Sequence, residues 1–164
     1  GQKLHPFPGF TASVCHLRPE SRGTIHLRSA DPSQSPSIRV NYLSTDEDRR
    51  AVVDGLKFLR SIMQAPAMLD YASEEIEPGL ACASNQDLLA YCRAKGSTIY
   101  HPSGTCRMGI DPGAVVSPDL KVKGLSGLRV ADGSIMPQLV SGNTNAAIIM
   151  IGEKASDLIL GESL

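Results

Sequence analysis

Tryptophan is absent from this sequence, and three Phe and four Tyr are all the large aromatic side chains it has. Nothing therefore marks an aromatic cage for a quaternary ammonium ligand. An excess of either charge is also missing: sixteen Lys and Arg face seventeen Asp and Glu, the net charge is −1, and the basic residues are scattered. That excludes the electrostatic footprint expected of a nucleic-acid or anionic-membrane binder. The longest fully apolar run, Ala146 to Ile151, is far short of the roughly 20 residues that a membrane-spanning helix needs. Cys15, Cys82, Cys92 and Cys106 form no CxxC pair, which argues against a zinc ribbon or a dense disulfide framework. No metal site is expected, and free thiols in a reducing, cytoplasmic compartment are. A GxGxxG phosphate loop is missing, and the opening GQKLHPFPGF, without methionine or signal sequence, reads as a start in the middle of a longer chain.

What is present suits a globular fold: 164 residues with 41% hydrophobic content can bury a core. Phe10 to Arg18 carries β-branched and aromatic residues, and the turn after Pro19 leads into Thr24 to Arg28, a pattern that predicts a hairpin. Ser29 to Ser37 reads as a loop and Ile38 to Leu43 as a further strand. Ser44 with Glu47 makes a capping box, and Val52, Leu56, Leu59 and Met63 then recur at helical spacing, predicting a helix from about Thr45 to Gln64 that Pro66 ends. Glu74, Glu75 and Glu77 lack the separation and partners that paired-carboxylate chemistry needs, and they read as a surface turn. Ser84 caps a second helix, which Gly96 stops. Residues 97–100 make a short strand, Val115-Val116 and Leu120 to Val122 are short extended segments, and Leu128 to Ala131 is an apolar run of strand length.

Chemistry concentrates after residue 100. The nonapeptide His101 to Gly109, HPSGTCRMG, sets a histidine, which exchanges protons near neutral pH, against a proline that restrains the preceding backbone. Its glycines permit close approach, while Ser103 and Thr105 can bond within a tight loop. Taken by itself it is either a site loop or a turn holding a bonded histidine. Asp132-Gly133 closes the apolar run of 128–131, where the aspartate suits either a ligand hydroxyl or a simple turn cap. SGNTN, Ser141 to Asn145, opens a helix with Ile148, Ile151, Ala155 and Leu158 on one face and Gly161 as its stop. Asn143 or Thr144 is its natural cap, and its N-terminus offers N–H groups and partial positive charge.

HPSGTCRMG, followed by ADGS, SGNTNA and MIGEKASDLI, resembles the C-terminal signature of the glucose-methanol-choline (GMC) oxidoreductases. The run RPESRGTIHLRSADP, Arg18 to Pro32, is similar to the choline-dehydrogenase-like branch of that family. The resemblance implies an α+β and α/β architecture: residues 1–96 as a substrate-domain portion with an antiparallel sheet and helices, and residues 97–164 as a returning segment of a Rossmann-like FAD-binding domain. It implies FAD as cofactor in the full-length enzyme, bound weakly or not at all by this piece. The missing N-terminal FAD-binding portion would be its partner and an alcohol its substrate. His101 matches the family's active-site histidine, acting on the substrate hydroxyl while hydride leaves the adjacent carbon for flavin N5. Asn145 matches the companion position; it can donate to a developing alkoxide but cannot take its proton. Asp132 matches the aspartate that contacts the cofactor's ribityl and phosphate region, with Gly133, Asn143, Thr144 and Ala146 beside the flavin. Two other readings stay open: a flavin-containing lyase of the same family, and a non-catalytic module holding metal through Cys15, His16 and Cys106.

Overall fold

The computed structural model describes residues 5–72 and 74–161. It is an α+β structure that divides into two compact units, residues 5–16 with 45–96 and residues 17–44 with 97–161.

The first unit is built on α1, Asp46–Met63, and α2, Asn85–Lys95. Thr45 caps α1, its hydroxyl accepting from the Asp48 N–H, so the cap falls one residue later than the expected Ser44. Asp46, Glu47 and Asp48 in its first turn suit the positive end of the helix dipole. After Met63 the chain does not simply end its helix at Pro66: proline opens a 3-10 turn, Pro66–Met68, a position where its missing N–H costs nothing. Ser84 and Asp87 close the capping box of α2 as expected. Val53 of α1 and Leu88 of α2 are the buried apolar side chains of this unit among the described residues. Gly55 sits in mid-helix because a Cβ there would fall 2.7 Å from Val14, so the chain before His16 crosses α1 at that point. Arg60 then ties the following loop to α1, donating to both oxygens of Glu75 and to the carbonyls of Gly79 and Cys82 at 2.7 to 3.2 Å. Glu77 pairs with Lys95. Two of the three clustered carboxylates thus serve as ion-pair partners.

The second unit carries β1, Thr24–His26, antiparallel to β2, Ser37–Arg39, with Ile25 opposite Ile38. This corrects the expected hairpin. Residues 10–18 form no strand, and β1 takes its partner from beyond the 27–36 loop. Gly23 permits that pairing, since a Cβ there would lie 2.1 Å from the Arg39 carbonyl oxygen. The strand pair groups with residues 97–161. Residues 97–100 are not a strand either: Tyr100 adopts a φ of 63°, which breaks extended geometry immediately before His101. From 108 to 129 the β pairing consists of isolated bridges, Met108 to Val116, Val116 to Val122 and Lys121 to Arg129, so the apolar run 128–131 contributes one bridge where a strand was expected. Val116, Leu120, Ile135 and Met136 pack against Ile151 and Ala155 of α3, Asn145–Leu160. Gly161 ends α3 in the left-handed conformation, φ 76°, as the sequence pattern requires.

Candidate active site

The loop that carries His101 is strapped to a turn some thirty residues later. Ser103 Oγ donates to the Gly133 carbonyl at 2.7 Å, Cys106 N–H to Ser134 at 3.0 Å, and Met108 N–H to Ile135 at 2.7 Å. That turn is a 3-10 element, Gly133–Ile135, capped by Asp132, whose Oδ1 accepts from the Ser134 N–H at 2.7 Å. The turn rests in its turn on α3: a Cβ at Gly133 would lie 3.1 Å from the Ile148 Cδ1, so glycine permits the close approach. Histidine loop, aspartate turn and helix therefore form one packed assembly. Ser103 reaches across the chain, where the sequence alone suggested a bond within its own loop.

Within this assembly Thr144 Oγ1 lies 3.0 Å from His101 Nδ1. Thr144 is the cap residue of α3, yet its hydroxyl makes no cap bond, and its backbone is helical (φ −81°, ψ −11°) where Thr45 and Ser84 are extended and bond their helices. Forgoing a cap of this kind costs about 0.5–2 kcal/mol. The first N–H groups of α3 are left without a side-chain acceptor, since the first intrahelical bond runs from Ile148 to Thr144. Asn143, Asn145 and Ala146 are exposed around this helix end, whereas Thr144 is buried and His101 half-buried. Thr144, which the sequence offered as a cap or cofactor contact, is thus joined to the histidine loop. Asn145 follows it directly in the chain.

The Asp132 carboxylate is exposed, and the Ser134 hydroxyl and N–H hold it below the usual carboxylate range, so it is ionised at neutral pH. It caps its turn and presents negative charge to solvent. A bidentate clasp from Arg107 to Asp111, at 2.6 and 2.8 Å, fixes the far end of the loop. Lys123 Nζ adds a bond to the Asp111 carbonyl. Opposite charges four residues apart are the sequence signal of that clasp, one that residue type and family pattern did not bring forward.

These residues fit a flavin. An uncapped helix start with exposed small and amide side chains accepts an electron-rich ring edge, and an ionised aspartate on the adjoining turn accepts hydroxyl donors. Among the described residues no three His, Cys, Asp or Glu gather to hold an ion. His16 Nε2 lies 3.3 Å from the buried Asp48 carboxylate, a contact whose geometry falls short of a hydrogen bond. All four cysteines are free thiols, and among the described residues no helix is long and apolar enough to cross a membrane.

The chain is 49% identical over 160 residues to an alcohol dehydrogenase (acceptor) of Pseudomonas putida, covering 98% of this chain and 29% of that protein. It is 45% identical over 154 residues to an oxygen-dependent choline dehydrogenase of Escherichia coli, covering 94% of this chain and 27% of that one. Among solved structures, pyridoxine 4-oxidase from Mesorbium loti superposes with a TM-score of 0.83 at 32% identity, over 90% of this chain and 29% of the other. The chain spans less than a third of the length of the curated relatives it matches. The family model for GMC oxidoreductase matches residues 19–152, a stretch that takes in the histidine loop, the aspartate turn and the first half of α3, and this chain belongs to that family.

Proposed function

We propose that this chain forms the C-terminal portion of an FAD-dependent enzyme that oxidises a small primary or secondary alcohol to a carbonyl compound. The observation that carries this reading is the His101–Thr144 contact beside the uncapped start of α3, which sets a proton acceptor next to a helix end suited to a flavin. In that enzyme residues 97–161 are the returning part of the flavin domain and the helices of residues 45–96 belong to the substrate domain. Asp132, Gly133, Asn143 and Ala146 hold the cofactor, to which Thr144 offers its backbone N–H while its side chain serves His101.

FAD, when bound, accepts the two electrons and the hydrogen that leave the alcohol carbon. His101 takes the hydroxyl proton through Nε2, the nitrogen that Thr144 does not engage. Asn145 donates a hydrogen bond from its side-chain amide to the oxygen as negative charge grows there. Asparagine has no basic nitrogen, so the proton goes to His101. Pro102 and the straps from Ser103, Cys106 and Met108 hold the imidazole while it does so.

His101→Ala in the flavin-loaded enzyme is expected to lower alcohol turnover by about 10² to 10⁴, the usual range for a lost general base, with flavin content unchanged. Flavin bleaching by alcohol without oxygen supplies the second measurement. An enzyme that turns over its substrate without bleaching would belong with the redox-silent lyases, and wild-type turnover in His101→Ala would remove the base.

A further inference from the structure

Three caps in this chain invite comparison. Thr45 and Ser84 place their hydroxyls on the third N–H of the helix that follows, whereas Thr144 turns its hydroxyl away from α3 to His101 Nδ1 at 3.0 Å. Thr144 is 6% exposed between two exposed asparagines, and a hydroxyl so buried requires a partner. The proline after His101 has no N–H to donate to Nδ1, so the next residue in the chain cannot favour the opposite tautomer.

A neutral imidazole carries one proton; a hydroxyl can donate to Nδ1 or accept from it, and it accepts where Nε2 keeps its lone pair for the substrate hydroxyl. We propose that Thr144 is a positioning residue that holds His101 in the tautomer protonated at Nδ1, with Nδ1–H donating to Thr144 Oγ1 and the Nε2 lone pair left for the substrate hydroxyl. This rests on the reading of His101 as base and adds the selector of its reactive tautomer. The same hydroxyl continues to accept from Nδ1–H after Nε2 has taken the proton, so the bond serves both states of the ring. The structure also couples the histidine directly to the cap residue of α3, so the angle of the ring follows the helix that carries Asn145.

Thr144→Val keeps the shape and removes the hydroxyl, and Thr144→Ser keeps the hydroxyl. In the flavin-loaded full-length enzyme Thr144→Val is expected to lower kcat by about tenfold, the lower end of the effect seen for residues that orient a ligating or catalytic histidine. KM and flavin content should stay within about twofold, and Thr144→Ser should restore most of kcat. Imidazole ¹⁵N shifts of His101 in the resting enzyme should show the proton on Nδ1, and in Thr144→Val a mixture of tautomers. A proton on Nε2 in the parent enzyme would overturn the proposal. So would an unchanged kcat in Thr144→Val, an equal loss in Thr144→Ser, or loss of flavin with full turnover per bound flavin. Failure of His101→Ala to reduce turnover would instead strike the base assignment, and the ¹⁵N measurement separates the two.

Discussion

Asp119 illustrates how far a single exposed side chain can be shifted by its neighbours. Lys121 and the Ser117 hydroxyl both donate to its carboxylate and lower its pKa to about 2. Because the folded value lies below the unfolded one of about 3.9, these bonds contribute stability that is fully present above that unfolded value and is lost as pH falls through about 2. A carboxyl ¹³C titration of Asp119 is expected to give a midpoint near 2; a midpoint near 3.9 would mean that the exposed bonds do not persist in solution. Arg107 holds Asp111 still lower, so the clasp on the histidine loop should survive acid that protonates ordinary carboxylates. At this scale the sequence was partly legible. His101, Asp132 and the SGNTN stretch stood out by residue type and spacing, and the structure assembles their segments. The partner of His101 was not legible, because Thr144 is 43 positions away and a cap residue has an obvious local use for its hydroxyl.

Helices and strands differ in how much of their structure is local. Apolar spacing sets α1, α2 and α3, with side-chain caps on α1 and α2 and a stopping glycine on α2 and α3, all within one segment, and their expected ends hold to within a residue or two. The strands failed where their partners lay elsewhere. A three-residue β1 reads the same whether it pairs with residues 10–18 or with β2, and its exposed side chains carry no burial pattern that chooses between them. Packing of α2 against α1 rests on Leu88, which has no exposed surface. Leu88→Ala should therefore destabilise the first unit by about 2–5 kcal/mol, and Ser84→Ala, which loses the capping box, by about 0.5–2 kcal/mol. Denaturant melts of both variants test the order. If Ser84→Ala proved the more harmful, capping and not the α1–α2 contact would hold this unit.

Large apolar side chains remain exposed in both units, among them Phe58 at 67% and Leu80 at 71% in the first and Leu27 at 86% and Ile110 at 90% in the second. The sequence also has no phosphate-cradling glycine loop, so α3 and the Asp132 turn offer only part of a dinucleotide site. We expect this chain by itself to bind FAD weakly and to purify colourless. Reconstitution followed by an absorption spectrum is the test, and a stoichiometric flavin band would show that the helix end and turn suffice.

The straps on the histidine loop come from residues far along the chain, thirty positions on at Gly133 and forty-three at Thr144. Ribosomes deliver residues in order, at about 5 to 20 per second. For the seconds between the emergence of His101 and that of α3, the nascent loop has neither its turn nor its threonine. The surroundings of the histidine are thus among the last parts of this chain to be assembled, and a polypeptide stalled before α3 carries the imidazole without the contacts that give it a direction.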